Sequence, residues 1–469
     1  MHNLDYIKNV SKCIKPLYFM LNIWYNSYYL REETMNIGIV SLGCTKNLVD
    51  SEMILGAFKS QGYNIVNEVE EADIIIVNTC GFIQSAKEEA INTILDMADY
   101  KEEGRCKALI VTGCLAKRYK KEIIESMPEV DLVVGVDEYE RLPQILSEFF
   151  NQKKVFNQCK FTQKLDYLNR MVSSTYPLAY IRISDGCDNK CSYCAIPLIR
   201  GGFVSRQMED ILKEAEELAA KGIKEICIIS QDTSKYGLDI YGELKLAELL
   251  KRMSEIEGIK WIRILYMYLY ETTDELIEEI GNNPKVCNYF DIPIQHLNTK
   301  MLEDMNRHDT KEVIYDRIKK IREIVPDAIL RTTCIVGFPG ETEEDFLETL
   351  DVVNKCKYDG AYTFIYSPRE NTPAASMEDN VSLKEKEERL ARLNELINKY
   401  YKESNDKLLN KTVPVLIEGV SEKNNELCAG YTDTMKLVNV KCPKDCIGKI
   451  INVKITEVKT WSLDGEIDE

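Results

Sequence analysis

The sequence is poor in histidine and tryptophan and contains no long apolar run. Its 469 residues include three His and three Trp, and they hold no stretch of about 20 largely apolar residues, the length that a membrane-spanning helix needs. The aromatic-rich segment Pro16 to Leu30 is short and interrupted by polar residues, and no small-residue cleavage site follows it. We therefore expect a cytoplasmic protein without a membrane anchor.

Basic residues are fewer than acidic residues. The chain has 60 Lys and Arg against 77 Asp and Glu, which gives a net charge of −17. This balance disfavours a protein that coats nucleic acid or an anionic membrane through bulk charge. The hydrophobic share of 45% and the charged share of 29% are ordinary for a globular protein. The length predicts about three domains.

Cysteine is plentiful but falls short of a disulfide scaffold. The 16 cysteines are well under the roughly 8–10% of residues that marks such a scaffold. Because no secretory signal is convincing, we expect a reducing compartment. There, clustered cysteines more often bind metals or take part in catalysis than form disulfides.

Residues 35–150 repeat one unit three times, a strand followed by a tight turn and a helix, which predicts a parallel α/β domain. A cysteine follows each strand: Cys44, Cys80 and Cys114. Since parallel strands end at the same edge of a sheet, these cysteines are expected to lie close together. The alternative is three small buried apolar side chains. The predicted strands are Ile37 to Leu42, Ile74 to Asn78 and Leu109 to Thr112.

The rest of the chain divides into further segments. Residues 176–381 contain six strand–helix units, which predict an open barrel with its chemistry at the carboxyl ends of the strands. A strongly amphipathic pattern predicts a connecting helix over 382–409. Short alternating runs predict a small, OB-like β-barrel over 410–469. Residues 1–34 are read as an extension of unknown role, or as a start-site artefact before Met35, and 151–175 as a linker.

The sharpest pattern is Cys187, Cys191 and Cys194, spaced C-x3-C-x2-C directly after the first strand of the second domain. Three thiolates on one short loop suit an iron–sulfur cluster, which is normally held by four ligands, so that one iron stays free to bind something else. A structural zinc site would want a fourth Cys or His, and none follows closely.

With this loop the sequence resembles the radical S-adenosylmethionine (SAM) enzymes. Together with the first domain and the terminal barrel, called TRAM, residues 35–469 resemble the methylthiotransferases within that superfamily. The resemblance implies a 4Fe–4S cluster on the loop cysteines, whose open iron binds SAM, and a second 4Fe–4S cluster on Cys44, Cys80 and Cys114. It also implies that one SAM serves as methyl donor and another as radical source, with an electron donor such as flavodoxin or ferredoxin.

Two subfamilies of methylthiotransferases are in question. Segments such as SLGCTKNLVDSE (Ser41 to Glu52) and GCDNKCSYCAIPLIRGG (Gly186 to Gly202) resemble the RimO type, which modifies the β-carbon of an aspartate in the twelfth small-subunit ribosomal protein. The carboxyl-terminal third, including GYTDTMKLVNV (Gly430 to Val440), resembles the MiaB type, which modifies isopentenyladenosine in tRNA. We favour the ribosomal protein as substrate, with tRNA as the alternative. A non-catalytic iron–sulfur sensor or RNA-binding protein is the second alternative.

Further residues are candidates for contact with cofactor or substrate. Gln231 and Asp232 end a strand and are predicted to contact cofactor or substrate, with a surface loop as the alternative. Gly337 and Gly340 resemble the family's turn near SAM, where glycine permits close backbone approach. Arg200 and Arg206 are candidates for pairing with a carboxylate, and His296 for lining the barrel. The remaining cysteines are interpreted as buried or incidental: Cys13, Cys106, Cys159, Cys227, Cys287, Cys334, Cys356, Cys428, Cys442 and Cys446.

Overall fold

A computed structural model describes residues 35–151, 167–173 and 176–468. The amino-terminal extension, Cys13, Cys159 and most of the predicted linker lie outside the described residues. No helix in the described part is long and apolar enough to cross a membrane.

The first domain is a five-stranded parallel sheet in the order β2-β1-β3-β4-β5. Helices cover both faces, each over its own hydrophobic core. The central strand is buried at every residue, because both of its faces are covered. The parallel sheet was predicted correctly, whereas the two-residue edge strands had no readable pattern. The elements are β1 (Asn36–Ser41), α1 (Thr45–Ser60), β2 (Asn64–Ile65), β3 (Ile74–Thr79), α2 (Gln84–Ala98), β4 (Ala108–Thr112), α3 (Gly113–Arg118), α4 (Lys120–Ser126), β5 (Leu132–Val133) and α5 (Leu142–Phe150).

The second domain is the predicted open barrel of six parallel strands. They form two three-stranded sheets, β10-β9-β6 and β11-β12-β13, which meet at a single parallel bridge between Ile262 and Val286. The strands are β6 (Leu178–Arg182), β9 (Glu225–Ile229), β10 (Trp261–Ile264), β11 (Tyr289–Asp291), β12 (Ile329–Val336) and β13 (Gly360–Ile365), with a hairpin of β7 (Ser184–Asp185) and β8 (Val204–Ser205). The helices are α6 (Ile196–Arg200), α7 (Met208–Ala220), α8 (Leu238–Tyr241), α9 (Leu246–Ser254), α10 (Asp274–Asn282), α11 (Thr299–Asp304), α12 (Lys311–Ile324) and α13 (Glu343–Cys356).

The main core of this domain lies between the strands and the outer helices. Strand residues alternate in direction, so Ile262 and Ile264 of β10 join that core, while Trp261 and Leu265 point the other way and pack with Leu416 of the terminal barrel. The side chains that line the interior of the open barrel therefore form a cluster separate from the main core. This interior cluster includes Leu416 of the carboxyl-terminal domain, which partly closes the barrel.

The carboxyl-terminal domain follows the predicted long helix, α14 (Leu383–Asp406), which packs its Leu393, Ile397 and Tyr400 stripe into the main core. Five strands then close a barrel in the order β14-β15-β16-β18-β17, as predicted. They are β14 (Thr412–Ser421), β15 (Asn424–Thr432), β16 (Leu437–Val440), β17 (Ile450–Val458) and β18 (Leu463–Ile467).

Two cysteines of this barrel are not incidental as interpreted. Cys428 on β15 and Cys442, just after β16, form a disulfide, while Cys446 stays free. The two neighbouring antiparallel strands pair Cys428 with Val440, which brings Cys442 close to Cys428. Strand pairing creates this contact between two cysteines that are 14 positions apart in sequence.

Candidate functional site

Cys44, Cys80 and Cys114 lie at the carboxyl edge of the first sheet, the first two on loops and Cys114 in the first turn of α3. Cys44 precedes α1 and is exposed, Cys80 follows β3 and is half-buried, and Cys114 follows β4 and is buried. The loops are tightly packed: a Cβ atom on Gly43 would lie 2.8 Å from Cβ of Cys80. The fold therefore brings together three cysteines that are 36 and 34 positions apart in sequence.

Asn47, in the first turn of α1, connects the surroundings of all three cysteines. Its side-chain amide donates to the carbonyls of Leu42 and Thr79, both at 3.0 Å, and these residues precede Cys44 and Cys80. Its Oδ1 atom lies 3.6 Å from Sγ of Cys114, which donates to it. Asn47 is almost fully buried, so its orientation is fixed. We did not predict this role, because the contacts of Asn47 reach residues up to 67 positions away in sequence.

The second cysteine loop is anchored through its backbone and through Asn189. The Asn189 amide donates to Asp232 at 2.9 Å, the backbone N–H of Cys187 donates to the carbonyl of Gly201 at 3.2 Å, and that of Ser192 donates to the carbonyl of Met305 at 2.9 Å. Predicted Asp232 therefore holds the loop in place. Burial raises the pKa of the Asp232 carboxyl, and the hydrogen bond from Asn189 opposes this shift.

Several polar atoms at this end of the barrel are buried without a hydrogen bond among the described residues. They include both amide atoms of Gln231 and the hydroxyls of Tyr268 and Tyr366. Arg307 stacks over the Tyr268 ring with its guanidinium carbon 4.2 Å from the ring centroid. Each buried polar atom that has no hydrogen-bond partner lowers the free energy of unfolding by about 1–3 kcal/mol. These groups fit a polar ligand placed beside the loop.

The two cysteine loops face each other across the domain boundary. Cys114 packs directly against Ala195 and Ile199 of the second loop region. Arg369 connects the loops, donating from Nε to the carbonyl of Phe82 at 2.8 Å and from Nη1 to that of Tyr193 at 2.6 Å. The role of Arg369 was not predicted either.

Buried ion pairs hold this boundary together. Asp50 of α1 accepts from Arg182 at 2.6 Å and also from Arg200, and both guanidinium groups reach Asp185 of the second domain, at 3.7 and 3.3 Å. Arg200 thus pairs with protein carboxylates in a buried rather than a solvated setting. Arg206, the other arginine proposed for such pairing, binds Glu214 at 2.6 Å.

Lys46 lies at the same boundary. Its side chain is buried, and its Nζ atom sits 3.0 Å from the centroid of the Tyr266 ring. Burial lowers the pKa of Lys46 to about 8, an effect opposed by the negative charges of Cys44 and Asp291. This residue was not predicted as part of the site.

The remaining predicted residues lie at the edge of the site. Gly337 (φ +68°) packs against α14, where a Cβ atom would lie 2.3 Å from Cγ of Lys386, and Gly340 (φ +83°) faces open space. Their contact with SAM stays a prediction. His296 is buried beside Glu341 and Thr349, at 3.4 Å from each, and its Nδ1 atom accepts from the backbone N–H of Asn298 at 3.0 Å.

Protonation matters for any metal at these loops. Burial raises the pKa of Cys114 and of Cys187 to about 12 and that of Cys194 to about 11, so these thiols are protonated at neutral pH in the absence of metal. No three Cys, His, Asp or Glu side chains of the described residues are already grouped to hold a metal ion. Metal binding would therefore displace protons and draw the thiolates together.

Comparisons with known proteins match the chain in three blocks. The model of "Uncharacterized protein family UPF0004" matches residues 36–135, that of the Radical SAM superfamily residues 181–353, and that of the TRAM domain residues 406–467. Among solved structures, the radical SAM methyltransferase TsrM from Kitasatospora setae is similar with a TM-score of 0.55 at 13% identity, covering 73% of this chain and 74% of that chain. This likeness concerns the fold.

Relatives of high identity extend over nearly the whole chain. "Ribosomal protein uS12 methylthiotransferase RimO" of Alkaliphilus oremlandii is 46% identical over 439 residues, covering 92% of this chain and 99% of the relative. The protein of the same name from Clostridium novyi is 47% identical over 436 residues, covering 92% and 98%. A match over 92% of the chain must include at least part of the terminal barrel, whose sequence had also suggested the tRNA-modifying type. The chain belongs to the RimO family of radical SAM methylthiotransferases.

Proposed function

We propose that this enzyme attaches a methylthio group to the β-carbon of an aspartate in ribosomal protein uS12, acting in the cytoplasm with two 4Fe–4S clusters and SAM. One observation carries the proposal: a chain of the RimO family has two sets of three cysteines on opposite sides of one domain boundary, where Cys114 packs against Ala195 and Ile199. The names of its relatives supply the substrate. A flavodoxin or ferredoxin is the proposed electron donor.

The side chains present suit these cofactors. Cys187, Cys191 and Cys194 would hold the cluster that binds SAM, and Cys44, Cys80 and Cys114 the second cluster. When bound, these groups supply the radical, the sulfur and the methyl group of the reaction. The unsatisfied amide of Gln231 and the hydroxyls of Tyr268 and Tyr366 offer donors and acceptors for the polar groups of SAM.

The protein's own contribution is positioning and exclusion of water. Asn47 fixes the three amino-terminal loops relative to one another, and Arg369 fixes them relative to the second triad. Buried walls such as Tyr193 and Ile199 keep solvent from the space where a reactive carbon radical would be quenched. A shift of about 1 Å in such a site can cost a hundredfold in rate.

The test is anaerobic reconstitution of the full chain with iron and sulfide, followed by incubation with SAM, reductant and either uS12 or isopentenylated tRNA. We expect mass spectrometry to show a methylthio group in place of one hydrogen on the uS12 aspartate. Modification of the tRNA alone would overturn the substrate assignment. Iron binding without any cleavage of SAM would favour the non-catalytic alternative.

Single cysteine variants separate the two centres. Cys191→Ala should abolish both SAM cleavage and methylthio transfer, because it removes a ligand of the SAM-binding cluster. Cys44→Ala should abolish methylthio transfer but keep cleavage of SAM to 5′-deoxyadenosine. The matched control is Cys106→Ala, a buried cysteine of the sheet core, which should keep both activities. Full transfer by Cys44→Ala would contradict a second cluster.

A further inference from the structure

We propose that Lys46 binds the side-chain carboxylate of the substrate aspartate and thereby selects a substrate that carries a carboxylate at the reacting position. This inference rests on the function proposed above and names the group that recognises its substrate.

Lys46 is a buried cation in a fixed position. Only 8% of the residue is exposed, and its ammonium group lies 3.0 Å from the centroid of the Tyr266 ring. A cation over an aromatic face is attracted by the ring quadrupole. The contact orients the ammonium group but supplies no negative charge.

No carboxylate of the described residues forms an ion pair with Lys46, and the carboxylates around it already have arginine partners. Asp291 accepts two hydrogen bonds from Arg331, at 2.9 and 2.7 Å. Asp185 pairs with Arg200 at 3.3 Å. A buried ammonium group is costly unless it is paired, so Lys46 is suited to an anion that arrives from outside.

The position of Lys46 matches the reaction. It lies two residues after Cys44 of the first triad, and its ammonium group contacts Tyr266, which follows β10 at the carboxyl end of the second domain's barrel. In aspartate the β-carbon is bonded directly to the carboxyl carbon. A carboxylate paired with Lys46 would therefore hold the β-carbon in the space between the two loops.

A competing role for Lys46 is to neutralise the thiolate of Cys44 or the metal centre that it holds. Binding data separate the two roles. Anaerobic, reconstituted enzyme is titrated with uS12 and with uS12 whose target aspartate is changed to asparagine, while iron content, the visible spectrum and SAM cleavage are recorded for each variant.

We expect wild-type enzyme to bind uS12 with aspartate about tenfold or more tightly than with asparagine, the range of a hydrogen bond to a charged group. In Lys46→Met this ratio should fall to near one, with iron content unchanged. Lys46→Arg should keep part of the preference. The control is Lys87→Met, another lysine beside a tyrosine ring, with Nζ 4.7 Å from the Tyr119 centroid, and it should bind like wild type.

Two results would overturn the assignment. One is an unchanged preference for aspartate in Lys46→Met. The other is loss of iron from Lys46→Met, which would assign the residue to the Cys44 centre. If wild-type enzyme binds uS12 but does not modify it, the proposed function fails, and the ratio of the two binding constants still decides the role of Lys46.

Discussion

Gly186, directly before the first loop cysteine, occupies a position that no larger residue fits. Its φ is +71°, and a Cβ atom there would lie 2.0 Å from the carbonyl oxygen of Gly202. The collision is with backbone, which cannot move without displacing the loop. The relative positions of Cys187, Cys191 and Cys194 thus depend on Gly186, which has no side chain to take part in the reaction.

Gly186→Ala should therefore abolish iron binding at the Cys187 centre, measured as iron content and as loss of SAM cleavage after reconstitution. Gly242→Ala is the matched control, because Gly242, directly after α8, also has positive φ, +78°, but its Cβ would meet nothing within 4 Å. In that control the free energy of unfolding should fall only by the backbone strain, about 1–3 kcal/mol, and the cluster should be retained. Equal iron content in the two variants would contradict the steric argument.

Asp50 is the central acceptor of the domain boundary. It is fully buried and pairs with both Arg182 and Arg200. Asp50→Asn should lower the free energy of unfolding by about 3–5 kcal/mol, because two buried guanidinium groups lose their shared counter-charge. Urea unfolding measures the loss. Glu125→Gln, which breaks an exposed pair with Lys121, should cost less than about 0.5 kcal/mol.

At the scale of elements, the amino-terminal cap of α14 sets where the connecting helix begins. The Ser382 hydroxyl accepts from the backbone N–H of Glu385 at 3.3 Å, and the Glu385 carboxylate accepts from the backbone N–H of Ser382 at 2.9 Å. Ser382→Ala should destabilise the helix by about 1 kcal/mol. Faster hydrogen exchange confined to the first turn of α14 would reveal it.

A suitable control for this variant is Ser254→Ala. That hydroxyl donates to the carbonyl of Lys251 in the last turn of α9 and caps no free N–H group, so its exchange pattern should match wild type. Faster exchange throughout α14 in Ser382→Ala, rather than at its start, would mean that the cap governs docking of the whole helix.

Elements with strong periodicity could be predicted, and side-chain assignments within them could not. The six barrel strands and α14 follow hydrophobic patterns that a single sequence displays. In α1, by contrast, Lys46, Asn47 and Asp50 are polar residues on a buried helix. Their contacts reach other loops and another domain, and sequence spacing carries no information about those distant neighbours. For the same reason the Cys428–Cys442 pair was missed, because strand pairing creates it.

At the scale of the whole molecule, a bulge in β14 couples the terminal barrel to the central one. The register of β14 against β15 shifts at Glu418. The Glu418 side chain lies close enough to Glu225 and Arg263 to interact with their charges. Burial, together with the charge of Glu225, raises the pKa of Glu418 to about 7, and Arg263 offsets part of this shift. The folded protein therefore favours protonated Glu418.

The sign of the pH effect follows from the raised pKa. The contribution of Glu418 to stability is complete below the ordinary glutamate pKa and is lost as the pH rises through about 7. Glu418→Gln should therefore stabilise the protein at pH 8 by about 1–3 kcal/mol, allowing for partial solvation, and have little effect near pH 4.5. The Tm of the variant and of wild type, measured as a function of pH, tests this difference in stability. The exposed Glu422→Gln should leave the profile unchanged.

Arg263 anchors the terminal barrel through main-chain atoms. Its guanidinium donates to the carbonyls of Asp433 and Thr432, at 2.6 and 3.3 Å, while its Nε binds Glu225 at 2.6 Å. A carbonyl acceptor is present whatever side chain its residue carries. A substitution at the half-buried Asp433 can therefore leave this polar anchor in place, whereas Thr432 is buried and its hydroxyl accepts from the backbone N–H of Lys436. Such tolerance at Asp433 would let related lineages vary this position of the last domain while inheriting the same docking.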